Sequence, residues 1–132
     1  MKHFERRTRP RLRLRLPVLL LRNESDAPVW TETADISNNG FYCNTPQPFA
    51  PGDEFRCIIV LPTHCLAPSN NGERLYLEAK VEVVRIAMNE SSGFGIGCEI
   101  RHFHVLTSQK LPPWARADAE NKRIEAIIEQ PV

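Results

Sequence analysis

Short stretches in which apolar and polar residues alternate recur along most of the chain. Arginine and leucine alternate strictly over residues 11–16, a run that continues into apolar residues 18–21, and residues 75–86 follow the same period of two. This period is typical of a strand that buries one face. Shorter strand-like runs cover residues 29–34, 41–43, 54–61 and 94–100, with turn-forming segments between them. Six short strands without intervening helices predict a mainly β protein, a small antiparallel barrel or sandwich.

The end of the chain changes to a helical period. One face repeats at intervals of three and four residues, through Trp114, Ala117, Asn121, Ile124 and Ile128. This spacing predicts an amphipathic α-helix over residues 113–129, with a proline suited to its first turn. The face carries little apolar bulk, so we expect the helix to pack on the β domain or on a partner. Trp114 is the expected packing anchor.

Length and charge limit the possible partners. A chain of 132 residues fits one domain, and its net charge of +1 conceals an asymmetry. Residues 1–22 hold eight Lys/Arg and one Glu, whereas the remainder holds nine Lys/Arg and fifteen Asp/Glu. A positive arm on a mildly acidic body attracts phosphate, nucleic acid or an anionic membrane surface. No apolar run is long enough for a membrane span or a secretory signal.

The cysteines and histidines do not indicate chemistry. The four cysteines, Cys43, Cys57, Cys65 and Cys98, show no C-x-x-C spacing, and most lie in strand-like runs. We interpret them as reduced, small hydrophobic residues, which favours a cytoplasmic location. His102-x-His104 places two imidazoles on one strand face but lacks further ligands, so no metal site is expected. No nucleophile elbow, P-loop or dinucleotide fingerprint is present, and we expect no catalytic residues.

A cluster of arginines is the first of two candidate binding motifs. It runs Arg6-Arg7-Thr8-Arg9-Pro10-Arg11, with an R-x-x-x-R spacing from Arg7 to Arg11. Guanidinium groups at alternate positions repel one another, and a bound anion would relieve that repulsion. Arginine also stacks on bases and forms bidentate hydrogen bonds with phosphate or with guanine O6 and N7. The alternative is that these arginines only form the solvated face of a strand.

The second motif is a polar turn, Asp35-Ile36-Ser37-Asn38-Asn39-Gly40. These residue types occur in ordinary turns, which is the simpler interpretation. In a binding site, Asp35 would accept hydrogen bonds from a guanine N–H edge, and Ser37 with neighbouring backbone N–H groups would hold polar ligand atoms. Gly40 would permit a positive φ and a close backbone approach.

In this order and spacing, the two motifs resemble those of the PilZ domain family, in which R-x-x-x-R is followed 20–30 residues later by [D/N]-x-S-x-x-G. Residues 75–86 and 95–100 also look like that family's closing hairpin, and the resemblance covers residues 5–103. It implies a six-stranded antiparallel β-barrel of the split-barrel type with a C-terminal α-helix. It also implies binding of the bacterial second messenger cyclic di-GMP.

The resemblance assigns roles to individual residues. Arg7 and Arg11 should contact guanine and phosphate. Residues 1–10 would form a flexible basic arm, and the barrel of residues 11–103 would begin at Arg11. Asp35, Ser37 and Gly40 should line the barrel side of the site. A basic residue at the position of Arg6 tends, in this family, to accompany an intercalated ligand dimer. Residues 104–132 would form a linker and the C-terminal helix.

The expected function is therefore that of a binding module without catalysis or cofactor. Cyclic di-GMP would order the basic arm, and the ordered arm would act on an unidentified downstream protein. Two alternatives remain at this point: a small barrel that binds single-stranded nucleic acid through its basic arm, and a scaffold that binds partner proteins without a ligand. We do not expect the nucleic-acid alternative, because the strands show no row of exposed aromatic residues.

Overall fold

The computed structural model describes residues 13–23, 26–62, 74–89 and 93–116. Within these ranges, six antiparallel strands form a closed barrel, which confirms the predicted fold class. The strands are β1 (Pro17–Leu21), β2 (Val29–Ile36), β3 (Gly40–Thr45), β4 (Glu54–Val60), β5 (Leu75–Asn89) and β6 (Gly93–Thr107).

The barrel consists of two three-stranded meanders that meet along two seams. Strands β1, β2 and β3 form the first meander, and β4, β5 and β6 form the second. One seam pairs β1 with β4, where Val18 lies opposite Ile59. The other pairs β3 with β6, where Gly40 lies opposite Glu99. Closing both seams removes most of the exposed edges that an open sheet would have.

The barrel interior is filled by apolar side chains from all six strands. It includes Val18, Leu20, Phe41, Phe55, Ile59, Val81, Val83 and Ile96. Cys43, Cys57 and Cys98 are buried among them as free thiols, as the sequence predicted. Burial raises the pKa of the Cys57 thiol, and a hydrogen bond with Cys43 together with burial raises that of Cys98. Both thiols therefore stay protonated and act as packing groups.

A second apolar cluster covers the outside of the barrel at β1, β4 and β5. It contains Leu19, Ile58, Val60, Tyr76, Leu111 and Ala115. A 3₁₀ turn at Ser108–Lys110 and a helical turn of residues 113–116 carry the chain over this surface. Trp114 packs against the cluster, with the Arg56 guanidinium 5.8 Å from its ring centre. Trp114 is thus the predicted packing anchor, while the rest of the predicted helix lies outside the described residues.

The first strand begins later than the alternation predicts. Arg13 and Arg15 are exposed and Leu16 is buried, as expected, but β1 starts only at Pro17. The Thr33 hydroxyl accepts a hydrogen bond from the Leu16 N–H at 3.0 Å and donates one to the Leu14 carbonyl. Because the Thr33 side chain forms these hydrogen bonds in place of backbone groups of β2, residues 13–16 run beside β2 without forming a regular series of strand-to-strand hydrogen bonds.

The last two strands are longer than predicted, β5 by three residues and β6 by about half its length. β5 and β6 each span 15 residues, and β6 ends at Thr107, beyond the predicted end at residue 100. Residues 104–107, which the sequence assigned to a linker, therefore belong to β6. The extension is possible because β6 pairs with β5 through Thr107, opposite Leu75.

Candidate ligand-binding site

A β-bulge near the end of β2 places Asp35 on the outer face of the barrel. Thr33 lies opposite Cys43 and is buried, and the register then shifts so that Asp35 lies opposite Tyr42. Without the extra residue at Ala34, Thr33 and Asp35 would share a face, because side chains alternate along a strand. The bulge re-aims the carboxylate, a recurrent use of bulges near binding sites. The alternation of residues 29–34 alone could not reveal it.

The turn after Asp35 is held rigidly by its own polar groups. The Ser37 N–H donates to the Gly40 carbonyl at 2.9 Å, and the Ser37 hydroxyl accepts from the Asn39 N–H at 3.2 Å. The Asn39 carbonyl in turn accepts from the Ile100 N–H at 2.7 Å, which ties the turn to β6. Asp35 and Ser37 are both half-buried. The structure therefore brings together the three motif residues of the turn.

Two reasons were expected for glycine at position 40, a positive φ and a close backbone approach, and the structure supports only the second. The expected positive φ was wrong: among the described glycines only Gly52 and Gly93 have one. The expected close approach is present, because a Cβ atom on Gly40 would overlap the Cys98 carbonyl oxygen of the neighbouring strand. Glycine at this position allows β3 to approach β6 closely beside the turn.

Asp35 begins an outward-facing row that crosses four strands. The row runs from Asp35 to Tyr42, then to Gly97 and Arg85. Gly97 has no side chain, so Arg85 reaches across it and places its guanidinium 5.8 Å from the centre of the Tyr42 ring. Beside the turn, the surface thus offers a carboxylate, an aromatic ring and a guanidinium in one line. Sequence reasoning missed Tyr42 and Arg85, although the small residues at positions 95 and 97 were a signal of an open surface.

Two open grooves lie along this region. One, of about 310 Å³, is lined by Asn39, Gly40, Val84, Cys98 and Glu99. The other, of about 290 Å³, is lined by Arg15, Thr31, Glu32, Thr33, Ala34 and Asn44. Both lie at the end of β2 or at the turn that follows it. Both are open to solvent, so a ligand in either groove would need a further segment of protein to cover it.

The basic arm enters the barrel beside the same turn. Leu14 and Leu16 are hydrogen-bonded to Thr33, two residues before Asp35. The three arginines assigned to the ligand, Arg6, Arg7 and Arg11, lie outside the described residues. Their point of attachment is nevertheless fixed, since Arg11 precedes Leu14 by three residues, about 10 Å of extended chain.

Other chemistry is not indicated in the described ranges. No group of three or more histidine, cysteine, aspartate or glutamate side chains there is arranged to hold a metal ion. His102 and His104 are exposed, and the His104 ring nitrogen lies 2.9 Å from the Glu78 carboxylate, while Cys98 is buried in the barrel. No helix in the described part of the chain is long and apolar enough to cross a membrane.

Comparison with known proteins identifies the family. Among solved structures, the chain resembles the Bacillus subtilis inhibitor of motility (MotI/DgrA), with a TM-score of 0.59 and 18% sequence identity. The match covers 96% of this chain and 53% of that one, so the chain spans about half of that structure's length, and the likeness concerns the fold alone. Among curated proteins, none matches the chain significantly. A family model described as the PilZ domain matches residues 5–111, most of the chain, and the protein therefore belongs to the PilZ domain family.

Proposed function

We propose that this PilZ domain binds cyclic di-GMP and acts as a sensor module without catalytic activity. The observation that carries the proposal is the convergence of the basic arm and the motif turn. The backbone at Leu14 and Leu16 is held against Thr33, so the arginines before Arg13 start next to Asp35 and Ser37. A dianion with two guanine bases matches this combination of arginine donors and a carboxylate acceptor.

The chemistry of the site divides between the arm and the barrel. Arg7 and Arg11 supply charge-assisted hydrogen bonds to phosphate and guanine, and Asp35 accepts from a guanine N–H edge. The outward row adds the Tyr42 ring and the Arg85 guanidinium, on which a base can stack. Arg6 favours an intercalated dimer over a single ligand molecule.

Ligand binding would then act as an order–disorder switch. The arm's like charges repel each other in the free protein, and the ligand's phosphates neutralise them. The ordered arm and the adjacent barrel surface would form a new contact face for a downstream protein. The buried, protonated thiols support a reducing compartment, and we place the protein in the cytoplasm on that basis.

Calorimetric titration with cyclic di-GMP tests the proposal. We expect Arg11→Ala to weaken binding by roughly tenfold to a hundredfold, the loss of about 1–3 kcal/mol that follows removal of a charged hydrogen bond. Arg13→Ala is the matched control, because Arg13 is exposed and outside the motif, and it should bind like the wild type. The stoichiometry distinguishes a single ligand from a dimer.

Two results would count against the proposal at different levels. Equal affinity of Arg11→Ala and wild type would remove Arg11 from the site. No heat of binding with the wild type would remove the function itself. Binding to single-stranded oligonucleotides with steep salt dependence would instead favour the nucleic-acid alternative.

A further inference from the structure

The segment that leads into the first strand carries an arginine whose backbone is held on both sides. The Thr33 N–H donates to the Leu16 carbonyl at 2.9 Å, and the Leu16 N–H donates to the Thr33 hydroxyl at 3.0 Å. The same hydroxyl donates to the Leu14 carbonyl. Because Thr33 is itself buried in the barrel, these three hydrogen bonds keep the backbone around Arg15 in one position.

The packing of the two neighbouring leucines decides where the Arg15 side chain lies. Leu16 belongs to the interior cluster and Leu14 packs against it, whereas Arg15 between them is exposed. Successive side chains of an extended segment point to opposite faces, so Arg15 lies on the outer face of the barrel. Burial of the leucines thus fixes the direction of the arginine before any ligand is present.

The outer face at Arg15 adjoins the motif turn. Leu16 and Thr33 are paired through their backbones. Arg15 therefore lies beside Ala34, the extra residue of the bulge, and both line the groove of about 290 Å³. Asp35 is the next residue along β2, so a ligand whose guanine edge is held by Asp35 would lie next to the Arg15 guanidinium.

Arg15 is the cation of this groove and is not engaged elsewhere. Of the six lining residues, all within the described ranges, Arg15 alone carries a positive charge, and its guanidinium has no hydrogen-bond or ion-pair partner in the described part of the chain. The Thr33 hydroxyl is used by the two leucines, and the Thr31 hydroxyl donates to the Asn44 carbonyl. Arg15 is therefore the charged group that can bind an anion in this groove, while Glu32, which also lines it, opposes one.

We propose that Arg15 binds a phosphate of cyclic di-GMP and is the arginine of the site that the barrel itself holds in place. This inference rests on the proposed function and adds a contact that the motif arginines do not supply. A guanidinium held by the barrel loses little conformational entropy on binding, whereas in the proposed switch the ligand must first order the arm that carries Arg7 and Arg11.

Calorimetric titration of the full chain with cyclic di-GMP tests the contact. We expect Arg15→Ala to weaken binding at least about tenfold, the effect of removing a charge-assisted hydrogen bond. Arg15→Lys should weaken it by about threefold, since lysine keeps the charge but not the fork of donors. Arg13→Ala is the matched control, because it removes the same charge from an exposed side chain two residues away that does not line the groove, and it should cost less than about twofold.

The acidic residue of the groove gives a test of opposite sign. Glu32→Gln removes a negative charge beside the phosphate that we propose, so it should strengthen binding by about twofold. A loss of affinity in this variant would contradict a phosphate at this position.

NMR of the arginine side chains reports the contact directly. In the wild type saturated with cyclic di-GMP, the Arg15 Nε–H signal should shift and exchange more slowly with water, whereas the Arg13 signal should do neither. Because the exposed Arg15 side chain makes no hydrogen bond in the described part of the chain, the urea midpoint of each Arg15 variant should match the wild type, which separates a lost contact from a lost fold.

The inference and the proposed function fail in different ways. Equal affinity of Arg15→Ala and Arg13→Ala, or an Arg15 Nε–H signal that is unchanged at saturation, overturns the role of Arg15 and leaves the proposed function standing. No heat of binding with the wild type overturns both.

Discussion

Gly40→Ala separates the structural role of the motif glycine from any contact with ligand. A Cβ atom at this position would lie far inside 3.0 Å of the Cys98 carbonyl oxygen, and also near the backbone of Glu99. The neighbours are backbone atoms of a paired strand, so no side-chain rotation can relieve the overlap. To restore a permitted separation, β3 and β6 must move apart by about 1 Å beside the turn, a displacement typical of an overpacked site.

The cost follows from the bonds at that end of the seam. Separation weakens the ladder at Gly40 and Glu99 and the bond between the Ile100 N–H and the Asn39 carbonyl. Two or three hydrogen bonds at about 1 kcal/mol each give a loss of roughly 3 kcal/mol in the free energy of unfolding. For a domain of this size, that corresponds to a fall of about 10 °C in Tm.

Urea and thermal unfolding followed by circular dichroism measure this loss. Gly95→Ala is the control, because its Cβ would meet the end of the Tyr42 side chain, which can rotate away. We expect it to cost about 1 kcal/mol or less. If Gly40→Ala melted within 2 °C or so of the wild type, or if both variants lost the same stability, the argument from backbone approach would be wrong.

Three further expectations follow from the same structure. Thr33→Val should lower the free energy of unfolding by about 1–3 kcal/mol, because it leaves the buried backbone groups at Leu14 and Leu16 without their partner, and urea unfolding measures it. Arg85→Ala should weaken cyclic di-GMP binding in calorimetry by about two- to fivefold through loss of the cation–π platform on Tyr42. Arg22→Ala, which removes a cation–π contact with Phe49 instead, should not, and equal effects would exclude Arg85 from the site. Burial raises the pKa of the Cys57 thiol, so as the pH rises this thiol loses its proton in the unfolded chain before it does so in the folded protein. The contribution of Cys57 to the free energy of unfolding is therefore fully present below about pH 8.5 and falls above it by up to about 1.4 kcal/mol per pH unit. Urea midpoints that fall equally steeply in Cys57→Ala would refute that assignment.

The sequence predicted those parts of the fold that depend on local periodicity. Alternation identified six strands and put Val81 and Val83 on one common face, which is buried in the barrel, because burial of one strand face is a local property. It misplaced the start of β1 and the end of β6, since both depend on partners elsewhere in the chain. The Thr33 hydroxyl forms hydrogen bonds with the Leu14 carbonyl and the Leu16 N–H before β1 begins. Thr107 pairs with Leu75, which extends β6 beyond its predicted end at residue 100.

The candidate site was predictable in part for the same reason. The motif spacing found Asp35, Ser37 and Gly40, and the structure brings them together on one turn. The bulge at Ala34 that turns Asp35 outward leaves no mark in the alternation, because an extra residue is visible only against its partner strand. The row through Tyr42 and Arg85 is equally non-local, since it depends on the register of four strands.

The two seams of the barrel also set the order in which the protein can fold. Each meander forms from neighbouring hairpins, but the ring closes only when Val18 meets Ile59 and Gly40 meets Glu99, contacts between segments far apart in the chain. Such closure carries the largest loop entropy and makes folding slow, in the range of milliseconds to seconds. The β3–β6 seam ends at the motif turn, so the ligand that we propose to bind there would hold shut a junction that must open for the barrel to unfold. We therefore expect an occupied site to lengthen the lifetime of the folded protein as well as to signal.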